Sequence, residues 1–183
     1  MRIYRIRCDV NAFQSFYIDK ARWHGDLLAM LTFECSPRAA AYSPPPVFVL
    51  HPKLKAGNFY YLCPGALVVD STALDHLQDL LEMSGEMLRL PYKDCLFHLL
   101  NVTECINVLD ERHAKRRSSG TIEKYAFHPE RLTETPLFKI PETCRAEILT
   151  CEGLKDPEDE FKGRVEQLGL KGLIFEELWS DEA

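Results

Sequence analysis

Apolar and polar positions alternate at the start of the chain. In MRIYRIR, Ile3 and Ile6 stand among charged residues, which predicts a first strand over residues 1–7. A helical period appears farther on, where Leu74, Leu77, Leu80 and Leu81 recur after Ser71, a good N-cap. A helix is therefore expected over about residues 72–83, entered from a short strand at Leu67, Val68 and Val69. Gly85 is expected to stop it, and Met87, Leu88, Arg89 and Leu90 to alternate as a strand that Pro91 ends.

The tail repeats that order of elements. Asp156 is placed to cap a helix, with Pro157 at its first position and Glu158, Asp159 and Glu160 at the positive end of its dipole. Phe161, Val165 and Leu168 form one apolar stripe, Gly169 is the expected left-handed stop, and Leu173, Ile174 and Phe175 read as a buried strand after a tight turn. The two helix–glycine–strand units suggest an internal repeat and two related helix–strand lobes.

The segments between are less regular. Phe13, Phe16 and Tyr17 suit a strand or short helix, residues 23–26 a turn, and residues 27–33 another buried element. SPRAAAYSPPP, residues 36–46, is a proline-rich loop, followed by a short strand at 47–50. Leu96 to Leu100 is an apolar run broken only by His98, consistent with a buried strand, and residues 101–109 continue it as strand or short helix. The basic loop DERHAKRRSSG is answered by a strand containing Ile122, Tyr125 and Phe127, and a short turn follows at residues 128–132. Pro136 and Pro141 bracket an expected edge strand, and residues 146–150 are another candidate strand. Without regular strand–helix alternation, the fold class is α+β, with mixed or antiparallel sheet elements and a few helices.

Composition narrows the setting. The 183 residues are 46% hydrophobic and 27% charged, ordinary for a globular chain, and no apolar run approaches the roughly 18 residues that span a bilayer. The first residues have no signal-like apolar region, so cytoplasmic residence and no membrane partner are expected. The seven cysteines are odd in number and scattered, which fits neither a disulfide framework nor a zinc site, and most are expected to be small buried hydrophobes. Of the net charge of −6, residues 134–183 hold 13 acidic against 6 basic residues. An acidic half disfavours nucleic acid and can steer a basic protein partner toward itself.

The chain carries few chemical motifs. Walker, dinucleotide-fingerprint, HExxH and GxSxG patterns are absent. Glu111 with His113, and His128 with Glu130, give two ligands each, which do not close a metal site, so neither metal nor cofactor is expected. His98 reads as a core histidine with satisfied ring nitrogens, and Cys105 would need His98 beside it to act as a nucleophile. Arg112, His113, Lys115, Arg116 and Arg117 lack the aromatics of a base-stacking site and read as a solvated loop.

Three blocks then carry a resemblance. FHLLNVTECINVLD, KYAFHPERLTETPLFKIPE and QLGLKGLIFEEL, in that order between about Gly85 and Leu178, resemble segments of the bacterial immunity protein 11 family. On that basis residues 67–183 form the family-like region and residues 1–66 a variable N-terminal part of the same fold. The resemblance implies a non-enzymatic immunity protein that binds and neutralises a cognate toxin (effector) of polymorphic-toxin or type VI secretion systems. Such toxins include basic, nuclease-like domains. The expected toxin-binding residues are the tail acids Asp156, Glu158, Asp159, Glu160, Glu176 and Glu177, with Trp179 as aromatic anchor. The alternatives are a small cytoplasmic enzyme with a Cys/His site in its N-terminal half and a non-catalytic adaptor.

Overall fold

The computed structural model describes residues 1–26 and 32–182, so most of the element expected at 27–33 lies outside the described residues. In chain order the elements are β1 (Arg2–Cys8), β2 (Ser15–Ile18), β3 (Val47–Leu50), β4 (Phe59–Tyr60), β5 (Ala66–Val69), α1 (Ser71–Ser84), β6 (Gly85–Tyr92) and β7 (Cys95–Val102). There follow β8 (Lys115–Arg116), β9 (Ile122–Lys124), β10 (Ile148–Glu152), α2 (Phe161–Gln167) and β11 (Leu173–Ser180). The named strand pairs are all antiparallel, giving an α+β fold. No helix among the described residues is long and apolar enough to cross a membrane.

Two sheets organise the molecule. One has the order β10-β1-β11, so the N-terminal strand is its centre. The other has the order β4-β5-β7-β6. A shared core lies between them, where Ile6, Leu67, Val69, Leu100, Val102 and Ile148 meet Ala73, Leu77, Leu80 and Leu81 of α1 and Phe161 and Val165 of α2. Each buried leucine of α1 contributes about 1.5–3 kcal/mol. The second sheet turns its other face to the β2–β3 strand pair, with Phe16 and Ile18 against Val68, Leu88 and Leu99. The first turns Ile3, Leu149 and Cys151 toward a third cluster with Val108, Phe127, Phe138 and Ile140. Ile3 and Ile6 are both buried as expected, but on opposite faces of β1.

The two helix–glycine–strand units therefore do not form separate lobes, because both helices bury their stripes in one core. They also differ in detail. Gly85 is extended (φ 164°) and opens β6 directly; a Cβ there would stand 2.0 Å from the Asn101 carbonyl oxygen, so close strand approach selects glycine. Gly169 takes the expected left-handed conformation (φ 65°).

Several local expectations are corrected. Asp70, not Ser71, caps α1, its Oδ1 accepting the Ala73 N–H at 2.7 Å. β6 runs through Pro91, which is tolerated because β6 is an edge strand. The tail helix is broken: residues 157–159 form a 3-10 turn capped by Asp156, and Glu160 stays extended because its Oε1 accepts the Gly153 and Leu154 N–H groups at 2.7 and 3.0 Å. The α-helix then ends at Gln167, leaving Leu168 exposed. β11 extends to Ser180, and Ile174 is 46% exposed rather than buried. The proline-bracketed segment is no edge strand: Leu137, Phe138 and Ile140 are fully buried, and only Phe138 and Lys139 make bridges. The Leu137 N–H is received by Ser84 Oγ (3.1 Å), which ties this segment to the end of α1.

Candidate functional site

The predicted acids fall in two groups rather than one patch. Asp156, Glu158, Asp159 and Glu160 lie between β10 and α2. Asp156 and Glu160 are occupied in local backbone bonds, Asp159 is half-buried, and Glu158 is exposed. Glu176 and Glu177 lie on β11, across β1 from β10. The Glu176 carboxylate stands 3.7 Å from Arg5 Nη1 and 3.6 Å from Arg7 Nη1. Glu177 is exposed and has no ion-pair partner among the described residues. Trp179 is not a free anchor. It is half-buried against the third cluster, its ring edge-on to Phe127 with centroids 6.1 Å apart.

A cleft of about 430 Å³ opens between β1, the entry to β10 and the segment leading into β5, lined by Arg5, Arg7, Val10, Tyr61, Cys63 and Glu147 among others. Arg5 Nε lies 3.3 Å from Glu147, its Nη2 donates to the Tyr125 hydroxyl at 3.2 Å, and that hydroxyl donates to Glu147 at 2.9 Å. Burial and the Glu147 charge push the Tyr125 hydroxyl up to about 12. Arg5 is thus held in place, whereas the Arg7 side chain is 63% exposed. Val10 and Tyr61 are exposed at the cleft, and Tyr17 and Phe48 pair in the open on the β2–β3 strand pair with ring centroids 5.7 Å apart. Aromatic side chains and arginine on one accessible surface suit protein recognition.

A second constellation was not singled out from sequence. Lys139 is fully buried, and its Nζ donates to the Phe33 carbonyl at 2.8 Å. No carboxylate lies within ion-pair distance of it among the described residues. Cys35, Cys63 and Cys105 surround the amine, and a Cβ on Gly65 would stand 3.3 Å from Nζ. Burial lowers Lys139 to about 8, and burial pushes Cys35 and Cys63 up to about 12. These thiols stay protonated, so they are not activated nucleophiles. The available signal was a lysine inside the apolar segment Leu137 to Ile140. The cysteines as a set are less buried than expected: Cys63 and Cys151 are buried, Cys8, Cys35 and Cys105 intermediate, and Cys95 and Cys144 exposed.

The histidines also depart from expectation. His98 is half-buried with Nδ1 unpartnered, and burial, then the Arg89 charge, lower its pKa. Cys105 sits beside Cys35 and Arg145 instead of forming a pair with His98. Asp110 joins the two sequence-separated His/Glu pairs, its carboxylate 2.6 Å from His113 Nδ1 and 3.8 Å from His128 Nε2. The hydrogen bond from His113 is the main reason Asp110 stays below the usual carboxylate range. No group of three or more potential metal ligands converges among the described residues. In comparisons with known proteins, no family model and no curated protein matches the chain.

Proposed function

We propose that this chain is a non-enzymatic immunity protein that binds and neutralises a cognate bacterial toxin, the role implied by its resemblance to the immunity protein 11 family. The observation that carries the reading is β11, a strand at the side of its sheet with the exposed Glu176 and Glu177 at successive positions. Arg5 and Arg7 of the neighbouring β1 reach Glu176 and also line a cleft bordered by Val10 and Tyr61. An acidic strand beside aromatic and arginine contacts suits a partner with a basic surface. Glu158 supplies further exposed acid on the α2 side, and Trp179 acts as the support under β11 rather than as the contact itself.

The test is co-expression with the toxin encoded by the neighbouring gene. Growth rescue together with a stable complex is the expected result. A neighbour that is toxic alone and is neither bound nor neutralised refutes the pairing.

The enzyme reading has one observation in its favour, the Lys139 amine among three thiols. That amine is fully buried and bonded to the Phe33 carbonyl, so a substrate would have to displace the segment around Phe33 to reach it. The exposed strand is the simpler working surface.

A further inference from the structure

The sheet edges are managed unequally. The outer edge of β10 is closed by Phe138, which exchanges both backbone hydrogen bonds with Leu149 at 3.0 and 2.8 Å. In the second sheet β4 is only two residues long, and β6 carries Pro91. β11 is eight residues long and contains no proline. Among the described residues, β1 is its only strand partner.

The direction of its free backbone groups follows from the register. The Asp9 N–H donates to the Gly172 carbonyl at 2.9 Å, which makes these two a hydrogen-bonded pair. By alternation, Ile174 and Glu176 bond to Arg7 and Arg5, whereas Leu173, Phe175 and Glu177 turn their N–H and C=O groups away from β1. Such a row is a template for another strand.

We propose that this edge receives one β-strand of a basic partner protein, with adjacent cationic residues set against Glu176 and Glu177 and an apolar residue against Ile174. The proposal rests on the toxin-binding reading above and supplies its mode of contact. Charge selects the occupant. Opposed residues of an antiparallel pair turn their N–H and C=O groups the same way, so two copies of β11 paired about Glu177 would set one Glu177 carboxylate against the other, and self-pairing is disfavoured. Arg5 and Arg7 partly neutralise Glu176, while Glu177 has no ion-pair partner among the described residues and is the stronger demand on a partner. Main-chain bonds would give affinity and the side chains specificity.

The probe is a capped eight-residue peptide, Thr-Val-Thr-Lys-Lys-Thr-Val-Thr, against a control with Glu-Glu at its centre. Amide hydrogen exchange is followed on the whole chain, and the same measurement is made on the complex with the neighbouring gene's product. The lysine peptide is expected to slow exchange at Leu173, Phe175 and Glu177, and the glutamate peptide is not. Glu177→Pro removes one outward N–H at an exposed edge position and is expected to weaken peptide binding about tenfold. Glu177→Gln, which keeps the N–H, is expected to retain the exchange protection at lower affinity. Absence of protection on β11, or undiminished binding by a folded Glu177→Pro protein, overturns the proposal. A toxin complex that leaves β11 amides unprotected overturns the edge while sparing the toxin reading. Protection by the lysine peptide with no toxin complex does the reverse.

Discussion

Replacing Lys139 by methionine should stabilise the protein at neutral pH. The lysine is fully buried with no carboxylate partner among the described residues, and burial lowers it from 10.5 to about 8. At about 1.4 kcal/mol per pH unit, this corresponds to about 3 kcal/mol against the folded state near pH 7. Methionine fills a similar volume but leaves the Phe33 carbonyl without its donor, a loss of about 1–2 kcal/mol. The expected net gain is therefore about 1–2 kcal/mol.

The pH dependence separates this cause from ordinary repacking. For a base whose folded pKa is depressed, the unfolded chain binds the extra proton. The deficit is complete below the folded value of about 8 and disappears as pH rises toward 10.5. The advantage of Lys139→Met over wild type should thus shrink by about 2 kcal/mol between about pH 7 and 9.5. The raised Cys35 and Cys63 thiols act oppositely, destabilising the fold above about pH 9, but they are present in both proteins and largely cancel in the difference. Urea unfolding of both proteins across that range is the assay. A stability difference that does not vary with pH, or a variant less stable than wild type at neutral pH, refutes the reasoning.

Other perturbations follow from the packing. Asp70→Ala removes the cap of α1 and the acceptor for Asn58 Nδ2 (3.0 Å), and should lower stability by about 1–2 kcal/mol in thermal or urea unfolding. Gly85→Ala drives a methyl into the Asn101 carbonyl and should cost about 3 kcal/mol, with increased amide exchange where β6 meets β7. Burial alone would raise the Glu152 carboxyl, but the bonds from Lys162 (2.8 Å) and Tyr4 (2.6 Å) prevail and hold it below the usual range. Its stabilisation is present above the unfolded value near 4.5 and is lost as pH falls through the lowered folded value, so Glu152→Gln should flatten the acid limb of a urea-unfolding stability–pH profile.

Periodicity made the first strand, α1 and the glycine stop at 169 legible because each depends on neighbours in sequence. The capping residue was misread by one position: Asp70 and Ser71 are both good caps, and only the Ala73 bond distinguishes them. Gly85 does end α1, its N–H donating to the Leu81 carbonyl, but the Asn101 carbonyl that selects glycine there belongs to a later strand. Pro136 and Pro141 suggested an exposed edge, yet the residues between them seal β10 and bury Lys139. The acids of the tail were visible individually, but β1 separates the strands that lead to the two groups. Trp179 was visible as an aromatic, and only its contact with Phe127 shows that it supports the core. The open side of β11 was hidden entirely, since an edge is defined by the strands that do not pair with it.

The central claim is tested most directly by the affinity of this chain for the neighbouring gene's product, measured at low and high salt for wild type and for Glu176→Lys with Glu177→Lys. Recognition of a basic toxin through β11 predicts a complex that weakens with salt and is weakened at least about tenfold by the charge reversal, with loss of growth rescue. A complex whose affinity is unchanged by salt and by both substitutions would contradict it.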